Sequence, residues 1–105
     1  MDSEGKLYKV IISAEAARML VSHSRFLAQV SETAALQLIA EFNEKAKSLK
    51  KFPERNPWLS DPLAPPGKYR KLLVAKRYLL VYQVKGCTVY VDAVLDCRQD
   101  YGWLL

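Results

Sequence analysis

The sequence predicts an α+β fold in the order β-α-α-β-β-β, an antiparallel sheet with an N-terminal helical hairpin packed on one face. Three observations predict it. Apolar residues recur every three or four positions from Ala16 to Leu49, they alternate every second position from Tyr69 to Asp96, and all five prolines fall between those two stretches. With 105 residues, 50% of them apolar, the chain can close one hydrophobic core, so residues 1–105 are read as a single domain.

Residues Leu7 to Ile12 alternate and carry Tyr8, Val10, Ile11 and Ile12, which suit an opening strand. Ser13 followed by Glu15 reads as a helix N-cap with an acid in the first turn, where both side chains meet unpaired N–H groups. The first helix then places Ala16, Met19, Leu20, Phe26, Leu27 and Val30 on an apolar stripe, with Glu15, Arg18, Ser22, Arg25 and Gln29 opposite. His23 stands one helical step from Leu20 and reads as a structural histidine at the edge of that stripe, since nothing near it in sequence offers a catalytic partner.

Ser31-Glu32 restarts the pattern with a second cap, and Ala35, Leu38, Ile39, Phe42, Ala46 and Leu49 carry the helical period to Lys51. The link between the helices is short enough for an α-hairpin. The side bearing Glu41, Glu44, Lys45, Lys47, Lys50 and Lys51 reads as a solvated face. The proline-rich stretch from Pro53 to Pro66 is expected to be neither helix nor central strand, but a loop pinned to the domain by Trp58, Leu59 and Leu63.

Three strand-like runs follow, Tyr69 to Ala75, Arg77 to Val84 and Thr88 to Asp96, with turns at Lys76-Arg77 and Lys85-Gly86. They form an antiparallel meander with which the first strand has to pair. Leu79, Leu80 and Val81 put apolar side chains in both registers, so helices cover one face of the sheet and the other is partly occupied. Tyr69, Tyr78, Tyr82 and Tyr90 read as sheet-packing residues.

The net charge of +5 points to an acidic partner, and its distribution is uneven. Between Lys50 and Arg77 stand Lys50, Lys51, Arg55, Lys68, Arg70, Lys71, Lys76 and Arg77, against only Glu54 and Asp61. No apolar run approaches the roughly 18 to 20 residues that span a bilayer, and Met1 to Lys6 resembles no signal peptide, so a cytoplasmic protein without membrane contact is expected. Cys87 and Cys97 lie toward the two ends of one strand, about 33 Å apart at 3.3 Å per residue, which excludes a bridge within an unbroken strand. With His23 far off in sequence and no zinc spacing, neither a metal nor another cofactor is expected.

Four segments carry a resemblance that runs over nearly the whole chain: Tyr8-Lys9-Val10-Ile11-Ile12-Ser13-Ala14-Glu15-Ala16, Gly67-Lys68-Tyr69-Arg70-Lys71-Leu72, Tyr78-Leu79-Leu80-Val81-Tyr82-Gln83-Val84, and Val91 to Tyr101. In their order and spacing the chain resembles the RelE/ParE toxins of bacterial type II toxin–antitoxin systems. The resemblance implies a cognate antitoxin and one of two activities: ribosome-dependent cleavage of mRNA, as in RelE-like members, or poisoning of DNA gyrase, as in ParE-like members.

Cleavage through the 2′-hydroxyl needs a proton acceptor, a cation against the phosphate and a proton donor for the leaving oxygen. By resemblance Arg70 and Lys71 occupy the basic opening of the second strand, Arg98 matches the arginine after the last strand, and Tyr101 supplies a terminal aromatic for base stacking or proton donation. These four are the candidate catalytic set, with Lys68, Lys76 and Arg77 as further nucleic-acid contacts. The expected function is inhibition of translation, with a gyrase inhibitor or a toxin-derived binding protein as the alternative.

Two positions depart from the nuclease pattern. RelE-like enzymes usually carry Tyr-Arg-Leu-Val-Tyr in the third strand, where this chain has Leu79 in place of the arginine; Arg77, two positions earlier, is expected on the same face as a partial substitute. A histidine common where the last strand ends is Asp96 here. The same basic residues also suit a plainer role as exposed strand and turn positions that protect sheet edges, with Asp96 and Arg98 as a surface ion pair.

Overall fold

The structure, a computed structural model, describes residues 6–60 and 65–97. Its elements are β1 (Lys9–Ile12), α1 (Ala14–Ala28), α2 (Glu32–Ser48), β2 (Arg70–Val74), β3 (Tyr78–Lys85) and β4 (Thr88–Asp96). Both expected caps are formed: the Ser13 hydroxyl accepts the Ala16 N–H at 3.0 Å and the Ser31 hydroxyl accepts the Ala34 N–H at 3.1 Å. Each cap stabilises its helix by about 1 kcal/mol.

The four strands form one sheet in the order β1-β4-β3-β2. The meander is antiparallel as expected, but β1 runs parallel to β4, so the sheet is mixed. The helical hairpin explains the direction. Two antiparallel helices return the chain to the end where β1 began, and the Tyr8 N–H donates to Lys50 O at 2.9 Å just past α2. From there β2 sets out in the direction of β1, and two reversals later β4 runs that way again.

Where β1 stops, α1 completes the edge of β4. The β3–β4 register passes from Val81 opposite Ala93 to Tyr82 opposite Val91, leaving Asp92 as an extra residue in β4. Such a bulge reverses which carbonyls face outward. Beyond it the His23 Nε2–H of α1 donates to Val94 O at 2.8 Å, and the imidazole packs against the Tyr78 ring with centroids 5.1 Å apart. His23 is thus a structural edge residue, as its place on the stripe suggested.

The main core lies between sheet and helices, where Leu38, Phe42 and Leu49 of the hairpin meet Val74, Tyr78, Leu80, Tyr82 and Val91. Burying each such side chain contributes about 1.5–3 kcal/mol. A smaller cluster of Val81, Ala93, Leu95 and Leu59 sits on the opposite face, with Leu79 and Tyr69 against it.

Three local expectations are corrected. The proline-rich segment opens with a 3-10 turn at Pro53–Arg55, since a proline at the first helical position gives up an N–H that would have no partner anyway. Within that segment Leu59 is buried and Trp58 exposed, while Leu63 lies outside the described residues. Glu41 is not on a fully solvated face: its carboxylate accepts the Ala75 N–H at 2.7 Å. The β2–β3 turn takes three residues, Ala75 to Arg77, with Ala75 and Lys76 both left-handed at φ 50° and 70°.

Candidate functional site

Arg70 opens β2, and the loop before it forms an extra edge. Leu59 N–H donates to Tyr69 O at 2.7 Å and Lys71 N–H donates to Pro57 O at 3.0 Å, with Trp58 bridged antiparallel to Arg70. The Arg70 guanidinium lies 3.7 Å from the centre of the Trp58 ring, and its Nη1 donates to Asn56 O at 2.7 Å. Asn56 Nδ2 in turn donates to the Tyr82 hydroxyl at 3.0 Å, and that hydroxyl donates to Pro53 O. Burial pushes the Tyr82 phenol above its ordinary range, opposed by the Asn56 hydrogen bond and the nearby Arg70 charge. The side chain expected to hold an RNA phosphate thus clasps a loop.

The other candidates divide between the two ends of the sheet. Lys68 is exposed beside Tyr69, with Nζ 5.1 Å from the ring centre, and Lys71 is half-buried opposite Val81 on the face away from the helices. Lys76 and Arg77 are exposed in the β2–β3 turn, about 20 Å from Arg70 at roughly 3.3 Å per strand residue. Arg77 lies in the turn just before β3, which begins at Tyr78. Cys97 N–H donates to Arg77 O at 2.8 Å, which brings the end of β4 to that turn. Arg98 and Tyr101 lie outside the described residues. The described candidates therefore form two groups, Lys68, Arg70 and Lys71 at one end and Lys76 and Arg77 at the other.

Leu79 occupies the middle of an apolar row. It pairs with Leu73 on one side and Leu95 on the other, and Leu73 is 51% exposed. Asp96 is only 5% exposed, so it is not a surface carboxylate, and its expected pairing with Arg98 falls outside the described residues. Its neighbour Cys97 has its thiol pushed upward first by burial and then by the Asp96 charge. Cys87 and Cys97 bracket β4 as free thiols. Among the described residues no group of His, Cys, Asp and Glu is placed to hold a metal ion, and no helix is long and apolar enough to cross a membrane.

A second basic cluster was missed from the sequence. Thr88 pairs with Lys9 on β1 and with Lys85 on β3, and in the next row Tyr90 pairs with Ile11 and Gln83. Lys85 Nζ lies 5.9 Å from the centre of the Tyr90 ring, and Gln83 Nε2 donates to the Asp92 carboxylate. The face away from the helices is therefore apolar and largely buried toward the β2–β3 turn, and basic with one tyrosine toward the β3–β4 turn. Lys9 and Lys85 are 76 positions apart, and only the parallel pairing of β1 brings them together.

Comparison with known proteins follows this geometry. The family model described as ParE toxin of type II toxin-antitoxin system, parDE, matches residues 10–101. A solved structure described as the chromosomal ParDE TA system from P. aeruginosa superposes with a TM-score of 0.69 at 16% identity, covering 88% of this chain and 98% of that one. No curated protein sequence matches.

Proposed function

The chain belongs to the ParE toxin family of type II toxin–antitoxin systems, and from that premise we propose that it arrests DNA gyrase by binding, without cleaving RNA, and is held in check by a cognate antitoxin. The observation that carries this reading is the row Leu73–Leu79–Leu95. Phosphodiester cleavage needs a cation where charge grows on the phosphate. A leucine there supplies no such charge, and Leu73, exposed at the outer end of the row, offers an apolar contact suited to a protein partner while Leu95 is buried beneath. The engagement of Arg70 with Asn56 and Trp58 supports the same conclusion.

A second reading keeps translation as the target, and the lysines on the sheet face away from the helices favour it. Lys9, Lys71 and Lys85 line one face with Tyr90, a composition suited to a nucleic-acid backbone and a stacked base. Exposed Lys68, Lys76 and Arg77 would extend that contact.

One experiment separates the two. The purified chain is added to gyrase with relaxed plasmid and, in parallel, to a translating extract with labelled message. Loss of supercoiling with accumulation of broken DNA and intact message is expected. Cut message with undisturbed supercoiling would replace the proposal with the nuclease reading.

A further inference from the structure

The end of the sheet at the β3–β4 turn gathers positive charge to which the gyrase reading gives no role. Lys9 of β1, Thr88 of β4 and Lys85 of β3 stand in one row across three strands. Their neighbours Val10, Val89 and Val84 pack into the core under the helices, so strand alternation turns the row to the other face. Gly86, left-handed at φ 61°, helps close the short turn between β3 and β4, and the Lys9 N–H donates to Cys87 O at 2.9 Å, which ties that turn to β1. The lysines thus extend from a fixed backbone.

More lysines arrive from other parts of the chain. The bond from the Tyr8 N–H to Lys50 O brings Lys50 and Lys51 to the same end, and Lys6 Nζ lies 4.9 Å from the centre of the Tyr8 ring. Lys6, Lys9, Lys50, Lys51 and Lys85 are all exposed, and none forms an ion pair with a described residue. Glu54 is near enough to act on the Lys6 charge, and on the sheet face the Asp92 carboxylate is taken by Gln83. The end keeps a net positive charge.

Chemistry selects the occupant. Uncompensated lysines beside a threonine hydroxyl suit phosphate oxygens, whereas lysine is depleted from the centres of protein interfaces. Single strands are held by rings on which successive bases stack, but Tyr90 is flanked by Ile11 and Gln83 and has Lys85 Nζ 5.9 Å from its ring centre. We propose that Lys9, Thr88 and Lys85, with the lysines around them, bind the phosphate backbone of duplex DNA, so that the toxin holds the DNA on gyrase as well as the enzyme. A duplex carries one negative charge per roughly 1.7 Å of axis, so Lys9 and Lys85, about 10 Å apart across two strand spacings, reach separate phosphates. The contact with gyrase-bound DNA rests on the function proposed above; binding of DNA by the chain alone does not.

The test is fluorescence anisotropy of a short labelled duplex titrated with the purified chain over a series of salt concentrations, with circular dichroism as a check that each variant is folded. The wild type is expected to bind without sequence preference, with a dissociation constant in the micromolar range at low salt. Lys9→Ala and Lys85→Ala should each weaken binding about threefold or more and make the slope of log K against log salt shallower by about 0.9, while Lys9→Arg and Lys85→Arg preserve both. Arg18→Ala, which removes a charge already paired with Glu15, should leave affinity within about twofold. No binding of the duplex, binding untouched by the two alanine changes, or an equal loss with Arg18→Ala would overturn the inference. So would tighter binding of single-stranded RNA, or displacement by poly-L-glutamate as effective per charge as unlabelled duplex, which would assign the lysines to RNA or to an acidic protein. In a supercoiling assay the double change Lys9→Ala/Lys85→Ala should raise the amount of chain needed for arrest about tenfold, and an unchanged requirement would overturn the contact on gyrase. Gyrase that the wild type leaves undisturbed would remove the proposed function, and anisotropy alone would then decide the duplex contact.

Discussion

The guanidinium of Arg70 lies over the Trp58 indole, 3.7 Å from the ring centre, joining the first residue of β2 to a proline-rich loop that two backbone hydrogen bonds also tie to that strand. The stack is continued by hydrogen bonds from Arg70 to Asn56 O and from Asn56 to the Tyr82 hydroxyl. This makes Arg70 a residue of stability, and its substitution separates that role from a catalytic one.

Arg70→Ala is expected to destabilise the fold by about 1–3 kcal/mol through the lost stack and the lost charged hydrogen bond. Arg70→Lys should recover little, because an ammonium cannot reproduce the planar contact. Urea denaturation measures the loss. Hydrogen exchange at the Leu59 and Lys71 amides should accelerate in both variants as the loop edge opens. Wild-type stability in Arg70→Ala would remove the clasp.

The β2–β3 turn stores strain in Ala75 and Lys76, whose left-handed backbone costs a non-glycine residue roughly 1–2 kcal/mol. Lys76→Gly should therefore stabilise the protein, by up to about 1 kcal/mol after the added freedom of the unfolded chain is counted. Glu41→Ala should act in the other direction by removing the acceptor for the Ala75 N–H, at about 1–2 kcal/mol. Thermal or urea midpoints of the two variants should move in opposite senses.

Removing the imidazole tests the edge of β4. His23→Leu keeps an apolar body against Tyr78 but removes the imidazole N–H that donates to Val94 O, so a loss of about 1–3 kcal/mol is expected. His23→Asn or His23→Gln should retain part of it only if the amide reaches the same carbonyl. Denaturation curves for the three variants give the order directly.

Alkaline pH should weaken the fold in two stages. Burial raises the Cys97 thiol above its ordinary 9.0 and the Tyr82 phenol above its ordinary 10.0. In both cases the unfolded chain loses its proton first. The stability they contribute is complete below those ordinary values and is lost as pH rises through the folded ones. Urea midpoints should be flat across neutral pH and fall above about pH 9, with Cys97→Ala delaying the onset. For the same reason iodoacetamide should modify exposed Cys87 before Cys97 at neutral pH.

The helices were legible in the chain to within a few residues, because Ser13 and Ser31 announce their starts chemically and the apolar stripe follows at once. The strands were legible as alternation, but the direction of β1 was not. Its four residues carry no mark of their partner, and the parallel pairing follows from where the hairpin returns the chain. The site was less readable still. Arg70 and Lys71 stand next to each other in sequence, yet one turns to Asn56 and Trp58 while the other lies opposite Val81. The alternation of a strand foretells two faces, but the loop that covers one of them could not be read from the prolines. The basic cluster of Lys9 and Lys85 was invisible for the same reason as the direction of β1.

The parallel pairing of β1 with β4 also sets an order on synthesis. Lys9 finds its partner Thr88 only 79 residues later. Contacts so distant in sequence form slowly, since the loop must close before the pairing rewards it. While the chain is still emerging from the ribosome, β1 has no strand to join and α1 has no β4 edge to complete. The surface that would meet a target is therefore assembled last, and a chain truncated before β4 would be made without ever becoming a toxin.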